Sequence, residues 1–110
     1  MTSTRYTVER KSARYALDVR AKLSMGEQEI SVRTLDISEG GVGLISPVEI
    51  PQGSAFVIEF ELPAVQGVFR AEIRGQNRVG FRYGFRFVGM EESNLALLRK
   101  YQRRWGVLAK

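Results

Sequence analysis

At 110 residues the chain is the size of one domain and can bury a core without covalent staples. It contains neither cysteine nor histidine, which excludes disulfides, thiolate metal sites, a thiol nucleophile and Ser/His/Asp catalysis. The net charge of +5 sits at the ends: residues 1–24 carry six cations against two anions and residues 99–110 five against none, so an anionic partner met at the ends is expected.

The amino-terminal stretch holds Arg5, Glu9, Arg10 and Lys11 where a secretion signal needs an apolar run, which points to a cytoplasmic protein. No uncharged stretch exceeds nine residues, as at Gly40–Val48, too short to insert into a bilayer. Residues 1–15 have few apolar anchors (Tyr6, Val8 and Tyr15) and read as a flexible arm, with a single folded unit over 16–110. Leu17, Val19, Ala21 and Leu23 then alternate with polar residues as one half-buried strand. A turn at 25–28 leads to a second strand, with Ile30 and Val32 on one face. By Leu35 and Ile37 the apolar residues have changed parity, the mark of a β-bulge just before Asp36.

A third strand runs from Val42 to Ile45, and Pro51-Gln52-Gly53 marks a turn. Phe56, Ile58, Phe60 and Leu62 share one face of the next strand, and Val68 to Ile73 form another. Gly75-Gln76-Asn77 is expected to turn the chain into a last strand with Val79, Phe81, Tyr83, Phe85 and Phe87 on one face. The period then changes: Leu97, Tyr101, Trp105 and Leu108 describe one face of a helix, with Trp105 as a packing anchor. Glu91 and Glu92 open that helix and Arg99, Lys100, Arg103 and Arg104 close it, which matches its dipole and explains these cations without a ligand. Six strands joined by tight turns give an all-β fold with a C-terminal helix, a six-stranded antiparallel β-barrel.

Two stretches exceed what folding needs. Arg10 and Arg14, with Lys11 between them, stand on the pre-strand arm, and a planar guanidinium fork suits phosphate oxygens or the O6/N7 edge of guanine. In Asp36-Ile37-Ser38-Glu39-Gly40-Gly41, the carboxylate can accept from the N1–H and N2–H₂ edge of guanine, and the Ser38 hydroxyl donates or accepts. Gly40 and Gly41 allow a positive φ and let a ligand approach the main chain. A Gly-rich hairpin accounts for the glycines alone, but less well for Asp36 and Ser38 together.

R-x-x-x-R at Arg10 and Arg14, followed by D-x-S-x-x-G at Asp36, Ser38 and Gly41, resembles the paired signature of the PilZ domain family. The resemblance extends to "LDISEGGVGLIS" and "RYGFRFVGM" and covers residues 9–105. It implies a six-stranded barrel with a C-terminal helix that binds cyclic di-GMP, a messenger with two guanines and two phosphates. By the same resemblance Arg10 and Arg14 form an arginine clamp, while Asp36, Ser38 and Gly41 are barrel-side contacts. Lys11, Gly40 and Gly43 are lesser candidates. Glu9 stands where relatives that bind an intercalated ligand dimer carry an additional Arg, which leaves the ligand stoichiometry open.

The expected function is a receptor module, not an enzyme, with no metal or cofactor. It takes cyclic di-GMP as ligand and acts on an unidentified effector protein, in motility or in exopolysaccharide and biofilm control. Two other readings are a barrel for single-stranded nucleic acid, needing exposed aromatics beside cations, and a degenerate scaffold. The parity of Phe81, Tyr83, Phe85 and Phe87 places them in the core and weighs against the first. The intact motifs weigh against the second.

Overall fold

A computed structural model of the chain describes residues 13–53, 55–63 and 65–108. Seven strands and one helix run in chain order: β1 (Tyr15–Ala16), β2 (Arg20–Met25), β3 (Gln28–Ile37), β4 (Gly41–Ile45), β5 (Phe56–Leu62), β6 (Gly67–Val79), β7 (Arg82–Phe87) and α1 (Glu92–Trp105). Every pairing is antiparallel, and the order β3-β2-β5-β6-β7-β4 returns to β3 through a β3–β4 pairing. Six strands therefore close a barrel, and closure removes the exposed edges that an open sheet would leave.

The expected alternation is clearest in β5, where Phe56, Ile58, Phe60 and Leu62 are all buried and Glu59 and Glu61 are not. Phe69 fills the centre, stacked on Phe60 at 5.1 Å and tilted against Phe87 at 5.3 Å. The strand expected over Leu17–Leu23 is broken instead into β1 and β2. Thr34, fully buried, explains the break. Its hydroxyl donates to the Leu17 carbonyl at 2.7 Å and accepts from the Val19 amide at 3.0 Å, so a side chain stands in for part of the ladder. Residues 1–12 of the expected arm lie outside the described residues; its last residue, Tyr15, pairs with Ile37 as the start of β1.

The bulge in β3 is where the parity change placed it, with register shifting between Thr34 and Asp36. The turn expected at Gly75-Gln76-Asn77 is not a turn. β6 runs through it with a second register shift between Arg74 and Asn77, and Gly75 takes φ 74° there. The chain reverses at Gly80-Phe81, between the paired Val79 and Arg82, with φ 62° at Gly80. Phe81 and Val79 are consequently exposed at the hairpin tip instead of joining the core with Tyr83 and Phe85.

The helix packs on β5 and β6 through Asn94, Leu98 and Tyr101, with Leu97 lying over Gly67. Trp105 is 61% exposed and is not the buried packing anchor expected, and Leu108 lies beyond the helix. The buried face is rotated from the expected one because a polar residue belongs to it. Asn94 is buried because its amide satisfies the backbone of Arg70, donating to the carbonyl at 2.7 Å and accepting from the amide at 3.5 Å. Tyr101 donates its hydroxyl to the Ala16 carbonyl at 2.7 Å and so ties the helix to β1.

Burial raises the Tyr101 hydroxyl above its ordinary value of 10.0, because the phenolate is poorly solvated there. The folded state favours the protonated form, so this contribution to stability is complete below pH 10 and is lost as pH rises through the raised value. Tyr101→Phe is expected to lower stability at neutral pH by about 0.5–1.5 kcal/mol and to flatten the loss above pH 10. Urea unfolding across pH 7–11 checks both.

Candidate functional site

The bulge determines which way the acidic side chain points. Val32 and Thr34 face the core, the extra residue Leu35 is half-buried, and Ile37 returns to the core, so Asp36 lies on the outer face. There it meets Arg14 from the segment before β1. The Arg14 Nε donates to Asp36 Oδ1 at 2.9 Å and Nη2 donates to the same oxygen at 2.6 Å. Oδ2 has no partner among the described residues, and Arg14 keeps further N–H donors.

The pair rests on Gly43. A Cβ there would lie 2.6 Å from Asp36 Oδ1 and 3.5 Å from Arg14 Nη2, so glycine is what lets the carboxylate lie against β4. Gly43 was a lesser candidate in the sequence and is central in the structure. The register extends the same row across the barrel wall: Asp36 is opposite Gly43, Gly43 opposite Gly84, and Gly84 opposite Asn77. Four strands thus contribute a carboxylate, two glycines and an amide to one line on the outer face.

Two adjoining depressions, of about 570 and 480 Å³, lie over this row and share Arg14, Asn77 and Gly84. Arg78 and Arg82 border the larger, Arg86 the smaller, and Asp36 is the only acid among the residues lining either. Arg78 is already engaged, donating to Glu49 Oε2 and to the Gly80 carbonyl, both at 2.8 Å, with its guanidinium 5.4 Å from the centre of the Tyr83 ring. Asn77, Arg78, Arg82, Gly84 and Arg86 were not singled out in the sequence. Arg82-Tyr83-Gly84-Phe85-Arg86 signals three of them, since its alternation puts Arg82, Gly84 and Arg86 on the face opposite the core; Asn77 and Arg78, on β6, carry no such signal.

Ser38, Gly40 and Gly41 do not line the depressions. Ser38 is 1% exposed, and its hydroxyl oxygen accepts from the Gly40 amide at 3.1 Å and the Gly41 amide at 3.2 Å, while its own amide donates to the Gly41 carbonyl at 2.9 Å. It shapes the β3–β4 turn, and through it the pairing of Asp36 with Gly43. Gly41 does not take the positive φ expected for it; a side chain there would run into the Phe85 carbonyl. Glu39 reaches outward to Arg99 of α1, whose Nε donates to Oε2 at 3.3 Å. Arg10 and Lys11 lie outside the described residues. Tyr83 and Phe85 are buried, which leaves Phe81 at the hairpin tip as the exposed ring of the four, short of the row of aromatics that a single-stranded nucleic-acid surface would need.

A closed six-stranded barrel with a C-terminal helix and a basic cleft across β3, β4, β7 and β6 is the class of protein defined here. The chain belongs to the PilZ domain family, whose model matches residues 9–103. PilZ domains are receptors for cyclic di-GMP, not enzymes, and need no cofactor. Among solved structures it is similar to the Bacillus subtilis inhibitor of motility MotI/DgrA, with a TM-score of 0.66 and 17% identity over 86% of this chain and 50% of that one. It is also similar to the PilZ domain of CeSA from a cellulose-synthesizing bacterium, with a TM-score of 0.58 and 17% identity over 81% and 94% of the two chains. The PilZ domain of YcgR from Escherichia coli, solved with c-di-GMP, gives a TM-score of 0.58 and 19% identity over 86% and 95%. The chain thus spans half the length of the motility inhibitor. No curated protein matches it. Among the described residues no helix is long and apolar enough to cross a membrane.

Ser38→Ala removes an acceptor from two amides of the turn, of which the Gly41 N–H is buried. It is expected to lower stability by about 1–3 kcal/mol in urea unfolding, because that buried N–H loses its partner. Unchanged stability would contradict this role.

Proposed function

We propose that the chain is a cytoplasmic cyclic di-GMP receptor module that binds its ligand between Arg10 and Arg14 on one side and the Asp36–Gly43 row on the other. The observation that carries this reading is the meeting of the two motifs, Arg14 and Asp36, 22 positions apart in sequence, in one contact at 2.6 Å. The ligand offers what such a pair selects. Arg14 presents a fork to phosphate or to the O6/N7 edge of guanine, and the unengaged Oδ2 of Asp36 accepts from a guanine N–H edge. Ser38 and Gly41 act indirectly, by holding the turn that sets Asp36 against β4.

A ligand joining the segment of Arg10 to the barrel fixes one against the other, and a partner protein reads that rearrangement. Control of motility, or of exopolysaccharide and biofilm formation, fits the family and its structural neighbours, one of them an inhibitor of motility.

Calorimetric titration with cyclic di-GMP, GTP and a short oligonucleotide tests the reading. Saturable binding of cyclic di-GMP alone is expected, and Arg14→Ala and Asp36→Ala should each weaken it roughly ten- to a hundredfold. Arg14→Lys should also fall short, since a point charge does not reproduce the fork. Equal binding by wild type and Arg14→Ala would remove the arginine from the site.

A further inference from the structure

The glycines around the site are not alike. Gly41 and Gly43 are held to glycine by neighbours that leave no room for a Cβ, and Gly75 by φ 74° and by the Arg86 guanidinium, whose Nε would stand 2.9 Å from a Cβ. Gly84 has neither reason. Its φ is ordinary, and a Cβ would meet nothing among the described residues closer than Asn77 Cβ at 3.7 Å, an ordinary van der Waals contact. A glycine inside a strand weakens it, and a β-branched residue would suit β7 better. Gly84 is therefore unexplained by the packing of the described barrel. What its missing side chain does provide is a bare peptide surface, next across the β4–β7 ladder to Gly43, which the Arg14–Asp36 pair covers.

Two cations flank that surface. Arg82 and Arg86 lie two residues either side of Gly84 on the same outer face, roughly 13 Å apart along the strand at about 3.3 Å per residue. Both are exposed, and among the described residues neither has an acidic partner; Arg14 and Arg78, the other arginines lining the depressions, each have one. A flat floor with a cation at each end suits a planar base lying face-down, with the phosphates at its rim taken by guanidinium forks.

We propose that β7 forms a second binding edge of the nucleotide site. One guanine base stacks on the bare Gly84 backbone beside the Arg14–Asp36 pair, Asn77 offers its amide to the base's polar edge, and Arg82 and Arg86 hold the phosphates. The inference rests on the cyclic di-GMP reading above and names residues outside both motifs of the family signature.

The experiment compares wild type with Gly84→Val, Arg82→Ala and Arg86→Ala, measuring both cyclic di-GMP affinity by calorimetry and stability by urea unfolding. Gly84→Val should unfold at the same urea concentration or higher, yet bind at least tenfold more weakly. The two arginine variants should each lose roughly ten- to a hundredfold in affinity with stability unchanged. Arg103→Ala, on the far turn of α1, should bind as wild type does. Should Gly84→Val fold poorly, Gly84→Ala and the arginine variants carry the same comparison. Wild-type affinity in Gly84→Val and in both arginine variants would overturn the β7 edge while leaving the receptor reading intact. A wild-type protein that binds no cyclic di-GMP would overturn both.

Discussion

Between Thr34 and Asp36 the third strand carries one residue more than β4 opposite it, and the direction of every later side chain depends on that surplus. Strict alternation from the buried Thr34 would send Asp36 into the core and Ile37 out to water. A carboxylate placed there without a partner would cost several kcal/mol, and the barrel would lose one of its fully buried side chains. The bulge reverses both. It returns Ile37 to the core and leaves Asp36 on the outer wall. The same interruption is echoed across the ladder, where Thr34 bridges the gap between β1 and β2. The Arg14–Asp36 contact, its bed at Gly43 and the cleft over Gly84 all follow from this local irregularity.

The ion pair itself does little for stability. With side chains 42% and 22% exposed it belongs among solvent-screened pairs, which contribute about 0–1 kcal/mol. Its consequence is geometric. Two donors of Arg14 converge on a single oxygen of Asp36, which fixes the plane of the guanidinium and leaves the second carboxylate oxygen to act as acceptor. Ser38 supports this arrangement from behind, buried itself and accepting from both glycine amides of the turn. A binding surface held this way has little reorganisation left to make, and preorganisation of that kind raises affinity without adding contacts.

Much of the barrel was legible because strand burial has a period of two. The alternation of β5, the parity change before Asp36 and a helix at the end all survive in the structure, the helix with a rotated buried face. The failures around β6 and β7 share a cause: local turn chemistry does not reveal register. Gly75-Gln76-Asn77 has turn composition, but its glycine serves a bulge inside a long strand. The real reversal needed only Gly80, so Phe81 joined the wrong group. Asn94 was overlooked on the helix because an amide looks solvent-facing until the backbone of Arg70 is seen beneath it. In the site, the motifs supplied Arg14 and Asp36. Gly84, Asn77, Arg82 and Arg86 depend on how β4, β7 and β6 are aligned, which no short stretch of sequence encodes.

The central claim is that the nucleotide lies across the row Asp36–Gly43–Gly84–Asn77. The most direct test is a two-dimensional amide NMR titration of the isotopically labelled protein with cyclic di-GMP. The largest shifts should fall on the amides of Asp36, Gly43, Asn77 and Gly84 and on the Arg14 side-chain Nε–H, with the last turn of α1 at Arg103 and Arg104 unmoved. Shifts concentrated in that last helical turn or at the Phe81 hairpin tip, with the four-strand row unperturbed, would contradict it.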